Sequence, residues 1–245
     1  MVQPNVRMSF GRAEAAWLLS ALREFDLQGA RNHEAQLSER GIDALLDDPR
    51  VLRCILEGPP AGISLVPPRL ALYVLLRHAL RQADVHDRML ADYLTALILE
   101  FGTGKRAYLA PGAEGKEYRY LVDILAEIDK SADSRAFQLR VHLGNYSLWL
   151  SGLFPDYIVA RRHRRGGPGL AYYENVGRSA YASAARSPQI RDDVMEKVYR
   201  GAADAFVSIR QALNLFSDRH LTPRASSPDD RLLRQISTRF RAAEG

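Results

Sequence analysis

The sequence predicts an all-α fold, a multi-helix globular bundle of about nine to ten helices, and three observations carry this. Apolar residues recur at spacings of three and four along most of the chain, strand-length alternation is almost absent, and several periodic stretches open on a capping residue followed by proline. With 245 residues, 47% of them hydrophobic, the chain can bury a substantial core.

The elements follow in order. Trp17, Leu18, Ala21, Leu22 and Phe25 recur at helical spacing, which predicts a first helix over about 10–27 with Ser9 as its N-cap. Asp48-Pro49 opens another helix, and Pro67-Pro68 opens one through RLALYVLLRHALRQ. Further patterns cover about 86–101, 117–130, 133–153, 170–186 and 189–217, the last started by Ser187-Pro188 and long enough to span roughly 40 Å. Ser227-Pro228 starts a short final helix. The breaks fall at 58–68, 102–116, an arginine-rich segment and 222–230, and none has the length of a domain linker. The expected organisation is one helical domain over 1–222, followed by a linker and an amphipathic helix over 223–245.

Charge and cysteine content narrow the function classes. The net charge of +5 is local: Arg161, Arg162, Arg164 and Arg165 supply four positive charges, residues 219–245 supply a net three, and the remaining body is net −2. The single cysteine, Cys54, makes no internal disulfide and sits among apolar neighbours as a small hydrophobe. Apolar runs are far shorter than the roughly 20 residues of a membrane span, and the N-terminus lacks a signal-peptide pattern, so the expectation is a cytoplasmic protein without membrane association.

Catalytic signatures fail one by one. Gly102-Thr103-Gly104-Lys105 resembles a phosphate loop, but the required upstream glycine is Leu99 and the magnesium-binding hydroxyl position is Arg106; a glycine ending a helix after Phe101 accounts for the pattern. The six histidines never stand three or four residues apart, so no single helix offers two ligands to a metal. His78 with His86-Asp87 and Asp123 is a faint echo of helical metal-dependent phosphohydrolases and lacks their spacing. No Gly-x-Ser-x-Gly elbow occurs. Neither a cofactor nor a metal is expected.

The informative stretch runs from 142 to 185. Gly144, Ser147 and Ser151 share one helical face, and Gly177, Ala180 and Ala184 share another, which predicts two backbones in close approach. Neighbouring helices joined by a short link run antiparallel, placing Glu174 near Ser147 and Ser151 and Arg140 toward the Ala184 end. Asn145, Tyr146, Tyr172, Tyr173 and Glu174 crowd polar groups into these apolar segments and form the candidate ligand site, because buried polar groups need partners. Glu174 is expected to be exposed at the rim, bonded to serine or tyrosine, or facing a pocket.

The blocks HLGNYSLWLSGLFPDYI and LAYYENVGRSAYASAA, about 45 residues between them, resemble uncharacterised bacterial all-helical proteins. That resemblance carries no activity, cofactor or partner.

Arg161, Arg162, Arg164 and Arg165, in RRHRRGGPG, read as a solvated, glycine-hinged loop with a candidate anion site; nothing aromatic interleaves the run, so nucleic-acid binding is not the expected role. Leu232, Leu233, Ile236 and Phe240 make an apolar stripe that docks on the body, on a second copy or on a protein partner. The expected function is binding or assembly rather than catalysis, with the tyrosine–glutamate cluster and the arginine segment as alternative ligand and nucleic-acid sites.

Overall fold

The computed structural model describes residues 1–25, 30–58, 65–103, 105–112 and 115–220. The expected C-terminal helix, with Leu232, Leu233, Ile236 and Phe240, lies outside the described residues. Among those described, the fold is all-α and globular with twelve α-helices. They are α1 (Arg12–Phe25), α2 (Ala30–Arg40), α3 (Asp43–Leu46), α4 (Pro49–Glu57), α5 (Pro68–Gln82), α6 (Arg88–Phe101), α7 (Leu121–Ile128), α8 (Asp133–Leu153), α9 (Pro155–Arg165), α10 (Leu170–Ala185), α11 (Asp193–Asp204) and α12 (Phe206–His220). One isolated bridge, Leu109 to Glu117, is the extent of β pairing among the described residues. No helix among them is long and apolar enough to cross a membrane.

Several starts are fixed as the sequence implies. Asp48 accepts the Arg50 amide at 2.8 Å ahead of Pro49, and Pro68 occupies the first turn of α5. Asp87 accepts the amides of Met89 and Leu90 at 2.7 and 3.1 Å, so it is the cap of α6 rather than half of a His-Asp metal pair. His86 pairs instead with Asp84 at 2.8 Å. No group of metal-holding side chains occurs among the described residues.

Four expectations about the helices change. Ser9 is not the cap of α1: it lies in a 3-10 turn and donates to the Val6 carbonyl at 2.6 Å, while Glu14 accepts the Gly11 amide at 2.8 Å. The pattern over 117–130 becomes helical only at Leu121, because Tyr118 and its neighbours pair extended with the 108–109 segment. Ser187-Pro188 makes a turn, and Asp192 caps the next helix by accepting the Val194 amide at 2.8 Å. The single long helix over 189–217 is two, α11 and α12, bent at Ala205. Their buried residues, Met195, Val198, Tyr199 and Ala202, then Phe206, Ile209, Leu213 and Phe216, keep one unbroken helical rhythm, so nothing local marks the bend. Tertiary packing imposes it: α11 lies on α10 and α6, whereas α12 lies on α8 and α5.

The hub is α8, packed by α6, α7, α9, α10 and α12 and buried almost continuously from Val141 to Leu148. Its glycines make this approach feasible. A β-carbon on Gly144 would stand 2.9 Å from the Tyr181 ring, one on Gly152 would stand 2.7 Å from Leu213 Cδ1, and one on Gly177 of α10 would meet Phe206 at 2.4 Å and Ser147 at 2.8 Å. Gly144 meets Tyr181 while Ser147 meets Gly177, so α8 and α10 run antiparallel, as expected from their short connection.

Candidate binding surface

The five residues of the expected ligand cluster separate into three environments. Asn145 faces the interior, where its side-chain oxygen accepts the hydroxyls of Tyr93 at 2.5 Å and Tyr181 at 2.7 Å, all three side chains being buried. Tyr199 stacks on Tyr181 and meets Tyr93 edge-on, closing an aromatic knot between α6, α8, α10 and α11. Burial and the neighbouring phenols raise Tyr93 and Tyr181 well above the ordinary tyrosine range, so both remain neutral donors. In this packed core Asn145 satisfies the Tyr93 and Tyr181 hydroxyls, while the buried Tyr199 hydroxyl has no hydrogen-bond partner among the described residues.

Glu174 takes a partner that the sequence reading does not name. Its Oε1 lies 2.6 Å from Arg210 Nε of α12, an ion contact without aligned hydrogen-bond geometry, and both side chains are largely buried. Arg210 also donates to Asn214 at 2.6 Å, and Asn214 donates to the carbonyls of Ser151 and Gly152 at 2.9 and 2.5 Å. Glu174 therefore reaches the Ser151 end of α8 through α12, clamping three helices together.

Tyr146 and Tyr173 are buried beside Tyr157 and Arg161 of α9, and half-buried Tyr172 meets Tyr173 edge-on. The arginine segment is not a loop: Pro155 and Asp156 occupy the first turn of α9, the arginines fill its last turns where the helix dipole favours cations, and Gly166 ends it at φ 62°. This brings aromatic rings among the arginines, contrary to the sequence expectation. The Arg161 guanidinium lies over the Tyr120 ring at 4.4 Å, and Tyr157 stands one turn before it on the same helix. Tyr120 and Tyr157 are exposed, at 43% and 52%.

Behind them Tyr146 donates to the Arg119 carbonyl at 3.1 Å, and Arg119 lies over Tyr108 at 5.0 Å. Burial raises Tyr146, reinforced by nearby Tyr108, Tyr157 and Tyr173; burial also raises Tyr173, while Arg161 opposes it. An aromatic series continues along α8 from His142 through Tyr146 to Trp149 and on to exposed Phe154, with Trp149 and Phe154 4.7 Å apart. Arg162, Arg164 and Arg165 are exposed and form no ion pair among the described residues. Arg162 folds over the connection to α10, where a β-carbon on Gly169 would sit 3.0 Å from its Nη1.

Sequence reasoning missed a second polar region. Asp47 is held by Arg77 at 3.1 Å and Arg88 at 2.9 Å, with Arg81 at 3.8 Å; burial pushes its carboxyl up, but the three guanidiniums outweigh this and hold it below the ordinary range. Arg7 pairs with Asp43 at 2.9 Å, and its amide donates to buried Asp92 at 2.9 Å. A cleft of about 440 Å³ opens beside them, lined by Gln36, Arg40, Asp43, Ala44 and Arg88. Single-sequence spacing carries no signal for this region, because α3, α5 and α6 meet there only in the folded chain.

No family model, curated protein or solved structure matches this chain.

Proposed function

We propose that this is a binding protein whose working surface is the arginine–tyrosine face of α9 and that its partner is a polyanion. The observation that carries the reading is the set of exposed Arg162, Arg164 and Arg165, lacking acidic partners among the described residues, on the helix that also carries exposed Tyr157 and holds Arg161 over exposed Tyr120. Local potential of one sign draws in oppositely charged partners, and exposed arginines keep their guanidinium donors available for phosphate or sulfate. The α9 scaffold fixes these groups on a rigid element backed by α8 and α10.

Retention on immobilised heparin across a salt gradient tests this. Replacing Arg162, Arg164 and Arg165 with serine is expected to lower the eluting salt concentration while leaving the far-ultraviolet circular dichroism unchanged. The comparator replaces Arg224, Arg231, Arg234, Arg239 and Arg241, five arginines of the 219–245 segment, with serine in the full chain. If the comparator alone loses retention, the α9 reading is wrong.

A further inference from the structure

We infer that the polyanion taken by this surface is single-stranded nucleic acid, its bases stacking on the exposed rings of Tyr157 and Tyr120 while phosphates meet Arg162, Arg164 and Arg165. This rests on the polyanion reading and adds the chemical class of the partner. The first argument concerns ring faces. Tyr157 and Tyr120 are both about half exposed, and Arg161 already lies over Tyr120, so an incoming base adds to an existing ring–cation contact instead of starting one.

Only unpaired bases offer such faces. A duplex hides them inside its own stack and presents phosphates and groove edges, leaving Tyr157 and Tyr120 with nothing flat to cover. A charged polymer without rings, such as polyphosphate, would use the arginines alone.

The second argument concerns charge placement. Protein interfaces deplete charge from their centres. Here Arg164 shares the helical face of exposed Tyr157 two turns on, Arg162 and Arg165 stand on the same last turns of α9, and the exposed aliphatic residues nearby in the chain are single valines, Val122 and Val159. From Tyr157 to Arg165 the helix rises about 12 Å, enough to alternate stacking and phosphate contacts along a short run of nucleotides. The negative end of the α9 dipole opposes anions there, so the attraction belongs to the side chains.

Fluorescence anisotropy with a labelled oligothymidylate 15-mer tests the assignment in the full chain, with the same strand in a duplex and inorganic polyphosphate as competitors. Tyr157→Ala is expected to weaken oligothymidylate binding about tenfold and leave polyphosphate competition unchanged, and Tyr157→Phe is expected to restore it. Serine at Arg162, Arg164 and Arg165 is expected to weaken both ligands and flatten the salt dependence. Equal binding of single strand, duplex and polyphosphate, all insensitive to Tyr157→Ala, would overturn the nucleic-acid assignment while leaving the charged surface intact. Absence of binding to every one of these polyanions would overturn both.

Discussion

Tyr181 and Tyr157 carry the same phenol in opposite settings. Tyr181 is fully buried, donates to Asn145, stacks on Tyr199 and covers Gly144. Tyr157 is exposed, one helical turn from Arg161, with Tyr120 beyond it. The knot around Asn145 pairs the hydroxyls of Tyr93 and Tyr181 from within the fold, so its chemistry is spent on specifying how α6, α8 and α10 meet. The α9 face leaves cations and ring faces turned to solvent, and that is the property a recognition surface needs. Polar and aromatic crowding alone does not separate these roles; burial and the presence of an internal partner do.

The sharpest way to break this contrast is Asn145→Leu. It strands the hydroxyls of Tyr93 and Tyr181 in the interior, and with each unsatisfied buried group costing about 1–3 kcal/mol the expected loss is about 4 kcal/mol in urea unfolding. A loss below about 1 kcal/mol would mean that the knot does not hold the core.

A slightly smaller effect sharpens the boundary between the two regions. His142 lies buried between Phe101 and Tyr146; burial first, then Arg135, depresses its imidazole from 6.5 to about 4. The fold therefore holds it neutral. Unfolded chain takes up a proton below pH 6.5 and folded chain only near pH 4, so this contribution is full above pH 6.5 and is lost progressively as pH falls through that window. The change amounts to about 3 kcal/mol. His142→Phe, compared with the parent protein at pH 7.0 and 4.5, should show a shallower decline; parallel declines would remove His142 as the cause.

Next comes Gly177→Ala, expected to destabilise by about 2 kcal/mol although alanine is the better helix former, because Phe206 and the Ser147 side chain already occupy the space. A neutral or stabilising result in thermal unfolding would show that Phe206 moves aside freely. Smallest is Tyr157→Ala, expected within about 0.5 kcal/mol of the parent in the same measurement, since its ring is turned outward. A larger loss would place Tyr157 with the knot.

The spacing of Gly144, Ser147, Gly177 and Ala184 was enough to anticipate two close helices, because small residues at helical intervals leave few other uses for a glycine, and their short connection gave the antiparallel direction. Glu174 was legible as a carboxylate in need of a partner, but Arg210 sits on a helix whose position depends on the bend at Ala205, and that bend has no local mark. The α9 helix is different: Pro155 at its start, Ile158 buried and Gly166 at its end were readable signals, outweighed by the run of arginines. Tyr157 and Arg161 already stood at helical spacing in the sequence. The Asp47 and Asp43 groups were beyond reach, since their arginines come from the N-terminal turn and from α5 and α6.

The bend at Ala205 also orders events in time. Phe206 fills the space over Gly177, and Leu213 fills the space over Gly152, while α12 as a whole closes against α5. During synthesis the ribosome releases α5 and α8 long before these covering groups exist, so the nascent chain carries exposed glycine-lined grooves and an unfinished apolar layer until the last described helix emerges. Closure depends on contacts far apart in sequence, which slows folding and extends the interval in which unfinished surfaces stick to one another. The grooves over Gly152 and Gly177 stay open for as long as translation takes to run from the end of α8 at Leu153 to the end of α12 at His220, and that interval is when a chaperone has surface to hold.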